Sequence, residues 1–136
     1  MQANGLTPER LRKHIEEIRS VNEEVDGITI LAGSEVDIHS DGRLDYEDEL
    51  LALLDVVVAS PHIALKQDSK KATARLLKAI EHPLAHIIGH PTGRVLCMRP
   101  GLDADIPTLL ASAANSTTAI ELNPNRCTAH CRGTHL

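Results

Sequence analysis

The chain has 136 residues, which is enough for one domain and too few for two ordinary ones. Apolar residues make up 42% and charged residues 24%, so the composition is that of a folded globular protein rather than a disordered one. There is no Phe or Trp and one tyrosine, Tyr46, which excludes the proteins that bind single strands by stacking bases on several aromatic rings. The formal charge of −5 argues against a surface that coats a polyanion, but it leaves open a nucleic-acid substrate that is held by metal ions.

Membrane insertion, secretion and disulfide bonding are all disfavoured by the sequence. No apolar run approaches the roughly 20 residues of a membrane span. The segment Met1–Thr7 lacks the charged and then apolar pattern of a secretory signal, so we expect a cytoplasmic protein with no membrane partner. The cysteines Cys97, Cys127 and Cys131 are odd in number, which argues against a disulfide framework and against a disulfide partner.

Helix patterns and strand patterns alternate along the chain. Thr7 and Pro8 are typical of a helix start, because Thr caps the first turn and Pro is favoured at its first position. Apolar periodicity and turn residues predict the remaining elements. In chain order the predictions are a helix to about Glu24, a strand Ile28–Ala32, a helix Tyr46–Leu54, a strand Asp55–Ala59, a helix Asp68–Glu81, a strand His86–Gly89, a helix Asp103–Asn115 and a strand Thr118–Leu122.

Each predicted strand is an unbroken apolar run, as in strands that are buried on both faces. This pattern predicts an α/β fold with a parallel sheet and right-handed crossovers, either doubly wound or an α/β barrel. The apolar periodicity stops after Asn123, so we expect the segment Pro124–Leu136 to be irregular.

Residues that can bind a metal ion lie at or just after the end of every predicted strand. Glu35 and Asp37 follow the first strand, His62 follows the second, His90 follows the third, and Glu121 lies in the fourth. The carboxyl ends of parallel strands meet at one edge, where sites in such folds are built. One glutamate and two histidines suit Zn, Mn or Fe. Taken singly, His62 and His90 are at least as well interpreted as turn residues, and a glutamate after a Gly-Ser turn, such as Glu35, is more often a solvated loop carboxylate.

The other histidines are weaker candidates for metal ligands. We expect His14 and His82 to be surface residues and His39 to precede a turn. His86 opens a strand at the edge of the sheet opposite to the proposed site, so it should not be a ligand. The tail carries four zinc-competent side chains without a second, separated pair of ligands, so an irregular terminus is favoured over a zinc site. These four residues are Cys127, His130, Cys131 and His135.

Basic residues near the predicted strand ends can attract a phosphate. Arg94 follows a glycine-containing loop on the side of the proposed site, where its guanidinium can hold a phosphate through two hydrogen bonds. The alternative is that Arg94 pairs with a nearby carboxylate. A basic run after the second strand is either a solvated helix face or an attractor of a phosphate backbone. Its members are Lys66, Lys70, Lys71, Arg75 and Lys78.

Four short motifs resemble the PHP (polymerase and histidinol phosphatase) domain. They are GSEVDI at Gly33–Ile38, DGRLDY at Asp41–Tyr46, ASPH at Ala59–His62 and GHPTGR at Gly89–Arg94. More narrowly, they are similar to the C-terminal PHP domain of bacterial family X DNA polymerases. The combination of the four is specific, although each one alone is not.

The resemblance implies a distorted α/β barrel with seven parallel strands and a site for up to three Mn or Zn ions. It implies phosphoesterase chemistry, commonly 3′–5′ exonuclease activity with DNA as the substrate. By motif, Glu35, His62 and His90 match metal ligands and hence catalytic residues, and Arg94 matches a position on the site face that suits a substrate phosphate.

The chain departs from the family pattern at both ends. The family's His-x-His pair, its further Asp and His, and its Asp-x-His are not found. We therefore interpret residues 1–125 as a partial PHP domain and residues 126–136 as an irregular tail. Such a piece should be a poor enzyme by itself and should self-associate through open barrel edges. The alternatives are a non-catalytic remnant with a vestigial metal site and a small-molecule phosphatase of the histidinol-phosphatase type.

Overall fold

Four helices alternate with four strands in the computed structural model, which describes residues 5–95 and 99–122. The predicted order of elements is confirmed. The bounds are α1 Pro8–Glu24, β1 Gly33–Asp37, α2 Asp48–Leu51, β2 Val56–Ser60, α3 Ser69–Ile80, β3 Ile87–Ile88, α4 Ile106–Ala114 and β4 Ala119–Ile120.

The four strands form one parallel sheet in the order β1-β2-β3-β4. Each crossover therefore moves the chain one strand further in the same direction. A doubly wound sheet reverses direction at a switch point, whereas a barrel does not. The predicted α/β class with parallel strands is confirmed, and the winding is that of part of a barrel. Within the described residues β1 and β4 are the outer strands, and the self-association predicted from such edges stays a prediction.

The predicted position of the first strand, Ile28–Ala32, is wrong. The strand that pairs with β2 is Gly33–Asp37, and Ile28 and Leu31 are 65% and 58% exposed. The cause is a contact with α1, because the side chain of Asn22 accepts a hydrogen bond from the backbone N–H of Ile30 and donates one to its C=O, both at 2.8 Å. With those backbone groups occupied, this apolar segment runs beside α1 instead of entering the sheet.

Two predicted helices are shorter than expected. The helix predicted over Tyr46–Leu54 covers only Asp48–Leu51. The residues before it are occupied elsewhere, because Leu44 pairs with Ile38 and the N–H of Asp45 donates to the C=O of Asp37 at 3.0 Å. The helix α4 begins at Ile106, because the carboxylate of Asp105 caps it by accepting from the N–H of Thr108.

The core is aliphatic, as the composition requires. It consists of leucine, isoleucine, valine and alanine side chains from both layers, including Leu11, Val57, Leu76, Ile88 and Leu109.

One residue of the basic run is a core residue rather than part of a solvated face. Arg75 in α3 is only 2% exposed. Its guanidinium donates to the C=O of Ile63 at 3.0 Å, to the C=O of Ala64 at 3.2 Å, and to the C=O of Ile38. Burial lowers the pKa of Arg75, against the attraction of Asp37 and Asp41. The side chain therefore ties together the loops that follow β1 and β2.

Some predictions fall on parts of the chain that lie outside the described residues. These parts include all three cysteines and the whole tail after Leu122. None of the helices in the described ranges is long and apolar enough to cross a bilayer.

An ion pair fastens α1 to the start of the sheet. The Arg19 guanidinium donates to both oxygens of Asp55, at 2.7 and 2.8 Å, and Asp55 also accepts from the N–H of Ala32 at 2.7 Å. The hydrogen bond from Arg19, followed by the one from Ala32, lowers the pKa of Asp55 below its ordinary value of 3.8.

We predict that Asp55→Asn lowers the melting temperature at pH 7 and that the difference from wild type closes in acid. A lowered folded-state pKa stabilises the fold above the unfolded value of 3.8, and the contribution is lost as the pH falls through the folded value. Thermal denaturation followed by circular dichroism between pH 7 and pH 2 measures this. The control is Asp26→Asn at an exposed position. A difference between D55N and wild type that does not change with pH would contradict the assignment.

Candidate metal centre

The candidate side chains all lie at the carboxyl edge of the sheet. Glu35 and Asp37 belong to β1, His62 follows β2 by two residues, His90 follows β3 by two residues, and Glu121 directly follows β4. Because all four strands run parallel, these positions fall on the same side of the sheet.

Glu35, His62 and His90 converge on one point. Each offers one ligand atom, and these atoms lie within 4.8 Å of one another. The Nε2 atoms of His62 and His90 are 3.0 Å apart, and His62 Nε2 is 3.4 Å from Glu35 Oε1. A tetrahedral zinc site with bonds of about 2.1 Å separates its ligand atoms by roughly 3.4 Å, so a group with these separations can hold a metal ion.

Asp37 orients the ring of His62. One carboxylate oxygen of Asp37 contacts Nδ1 of His62, which leaves Nε2 to face Glu35 and His90. A carboxylate on the far nitrogen is the usual support of a metal-binding histidine, because it fixes the ring and its tautomer. Sequence reasoning placed Asp37 among the metal-competent residues at the strand ends but gave it no supporting role. The two-residue period of a strand, which puts Glu35 and Asp37 on one face, was the signal that could have found it.

Glu121 supports the backbone of His90. His90 has φ of +26°, an uncommon conformation for a residue with a side chain. Its N–H donates to Glu121 Oε2 at 2.7 Å, and its C=O accepts from the N–H of Gly93 at 2.7 Å. These bonds stabilise a tight turn that would otherwise be strained, and the turn aims the His90 ring at His62.

Ser60 and Gly89 set the position of Glu35. The Ser60 hydroxyl donates to Glu35 Oε1 at 2.7 Å, and Ser60 is fully buried. A Cβ atom on Gly89 would lie 2.4 Å from Ser60 Oγ and 2.9 Å from Val58 Cγ1. Glycine is therefore required at this position for the serine to reach the glutamate.

Arg94 lies beside this cluster rather than in it. It is exposed and lines a cleft of about 450 Å³ together with His90 and Glu121. The alternative that Arg94 pairs with a carboxylate finds no support among the described residues, since the hydrogen bond that Arg94 donates to them runs from its backbone N–H to Thr92 Oγ1.

The other four histidines that the structure describes do not join the cluster. The ring of His39 contacts Asp45 at 3.0 Å, and Nδ1 of His86 accepts from the N–H of Val57 at 3.1 Å. His14 is exposed on α1, as predicted. The prediction for His82 is wrong in part, because its ring is mostly buried and accepts from the N–H of Leu84 at 3.2 Å.

The chain is similar in sequence to a polymerase and to several phosphatases, although no protein-family model matches it. It is 42% identical over 134 residues to the DNA polymerase/3′-5′ exonuclease PolX of Bacillus subtilis, covering 98% of this chain and 24% of that protein. It is 32% identical over 120 residues to a probable phosphatase of Caldanaerobacter subterraneus, covering 85% of this chain and 45% of that protein.

A probable phosphatase of Shewanella sediminis is 34% identical over 113 residues, which cover 81% of this chain and 44% of that protein. The chain thus spans about a quarter of the polymerase and less than half of either phosphatase. These relatives support a relationship to phosphoesterase-type modules, including one in a family X polymerase.

We predict that Gly89→Ala destabilises the fold by about 1–3 kcal/mol, because the added methyl group overpacks a closed strand pair. It should also weaken metal binding, since Ser60 must move away from Glu35. Urea denaturation and metal titration measure the two effects. The control is Gly33→Ala, where the nearest atom to the new Cβ lies at 3.3 Å instead of 2.4 Å. Equal unfolding free energies for the two variants would contradict the close approach at Gly89.

Proposed function

We propose that this chain forms part of a PHP-type phosphoesterase domain that hydrolyses phosphodiester bonds in DNA. The observation that carries the proposal is the convergence of Glu35, His62 and His90 at the carboxyl edge of the parallel sheet. The similarity to PolX over 98% of the chain supports the setting of a family X DNA polymerase with 3′–5′ exonuclease activity.

The three convergent side chains suit a single Mn or Zn ion. A bound ion of this kind activates a water molecule and neutralises charge on the phosphate that is attacked. Glu35, His62 and His90 would hold it, while Asp37 keeps the His62 ring in place and Ser60 orients the Glu35 carboxylate. Arg94 would hold a phosphate of the substrate from the side of the cleft.

The full complement of up to three ions needs more donors than this group provides. Within the described ranges one group of three or more metal-competent side chains is found. We propose that this chain supplies the central part of the domain, in residues 1–125, and that further ligands come from other segments of a longer protein. The small fraction of each relative that the chain spans supports this interpretation. The 136-residue chain alone should then hydrolyse DNA slowly.

Two other functions have a specific observation in their favour. The relatives named probable phosphatases, at 32% and 34% identity, favour a small phosphomonoester as the substrate. The single group of three ligands in the described ranges favours a non-catalytic remnant that still binds an ion. Assays with 3′-labelled DNA and with a small phosphomonoester, each in the presence of Mn, separate the two substrates. Comparing the DNA hydrolysis rate of this chain with that of a protein that also includes the flanking segments distinguishes a non-catalytic remnant from part of a catalytic domain.

We predict that His62→Ala weakens binding of Mn or Zn about tenfold or more, since removal of a ligand should matter at least as much as removal of a supporting group. Isothermal titration calorimetry on the 136-residue chain measures the affinity. His14→Ala is the matched control, because His14 is exposed on α1 and its ring lies 3.9 Å from the carboxylate of Glu17, away from the cluster. If H62A and H14A bind the ion equally well, His62 is not a ligand and the proposed centre is wrong.

A further inference from the structure

A second arginine lies in the cleft beside His90, and the function proposed above gives it no role. Arg94 and Arg99 line this cleft, which has a volume of about 450 Å³. His90 and Glu121 also line it, so the cleft opens directly onto the candidate metal centre.

The position of Arg99 is fixed by the loop that carries it. Its Nε–H donates to the C=O of Gly93 at 2.8 Å, and its backbone pairs with Val95 in both directions at 2.8 and 2.9 Å. The loop is closed where the N–H of Leu102 donates to the C=O of Thr92 at 2.7 Å. The guanidinium is therefore attached to the same turn that aims His90.

Glycine is needed to close this loop. Gly101 has φ of +81°, and a Cβ atom there would lie 2.4 Å from the C=O oxygen of Thr92. Glycine at this position lets the backbone around Gly101 lie directly against the backbone of Thr92 and Arg94. As a result, Arg94 and Arg99 remain on one wall of the cleft.

Among the described residues of the cleft, no carboxylate pairs with its arginines. The Nη groups of Arg99 and the whole guanidinium of Arg94 make no hydrogen bond to the part of the chain that the structure describes. The one carboxylate among the described residues of the cleft, Glu121, accepts from the backbone of His90. Two such guanidinium groups on one wall are well suited to a phosphate, because each can donate two parallel hydrogen bonds.

Apolar side chains also line the cleft. Ile106 and Leu122 line it and are 36% and 91% exposed. They offer a contact for the sugar or the base that accompanies a phosphate in a nucleotide. Inorganic phosphate has no group that could use this contact.

We propose that Arg99, together with Arg94, binds a phosphate of the substrate strand in this cleft, next to the nucleotide whose bond is cleaved. The inference rests on the proposed function, since it assigns the substrate class to that site. Arg99 is the cation whose position is fixed by the loop, and Arg94 donates further hydrogen bonds to the same phosphate.

The test is binding without a metal ion. The 136-residue chain is titrated, in EDTA, into a fluorescein-labelled five-nucleotide DNA strand with phosphorothioate linkages, and anisotropy gives the dissociation constant. We expect Arg99→Gln to weaken binding roughly tenfold, as for removal of a hydrogen bond between charged groups. The slope of log affinity against log salt should fall by about 0.7 for each phosphate that the variant no longer neutralises.

The matched control is Arg10→Gln, which removes the same charge from an exposed position on α1. Equal affinities for R99Q and R10Q, or no binding by the wild-type chain, would overturn the inference. If circular dichroism shows that R99Q is unfolded, Arg94→Gln gives the same test, because the Arg94 side chain makes no hydrogen bond to the described residues.

Failure of the proposed function gives a different result. If H62A binds Mn as the wild-type chain does, the metal centre is wrong, yet the binding assay in EDTA is unaffected. If H62A loses the ion while R99Q binds DNA normally, the metal centre stands and the phosphate cleft is wrong.

Discussion

The parallel register of β1 on β2 is the constraint on which the candidate site depends. It pairs Glu35 with Val58 and Asp37 with Ser60, so the carboxylates of β1 meet the side chains at the end of β2. A slip of one residue would turn Glu35 and Asp37 to the opposite face of the sheet. The hydrogen bond from Ser60 to Glu35 and the pairing of Asp37 with His62 would then both break.

Loops carry the histidines, and polar side chains restrain those loops. The Arg75 guanidinium spans the loops after β1 and β2 and donates to backbone C=O groups of each. Glu121 restrains the turn at His90 in the same manner, by accepting from its backbone N–H. A buried cation and a strained residue are both costly, and such features concentrate at functional sites. Their position here agrees with a site that needs fixed ligands.

The sequence predicted the class of fold and the convergence of Glu35, His62 and His90, because apolar runs and polar residues at strand ends are local patterns. It placed the first strand wrongly, since Ile28–Ala32 has the composition of a strand while Asn22 occupies the backbone of Ile30. It also missed the burial of Arg75, because a basic residue in a basic run gives no sign of the carbonyl groups around it. Such tertiary hydrogen bonds have no local signature in the sequence.

The most direct test of the proposed centre is the location of a bound ion in crystals of the chain grown with Mn or Zn. Anomalous diffraction at the metal edge locates the ion independently of activity. We expect one peak about 2.0–2.3 Å from a carboxylate oxygen of Glu35, Nε2 of His62 and a ring nitrogen of His90. A peak held by other residues, or no peak between these three side chains at saturating metal, would contradict the proposed centre.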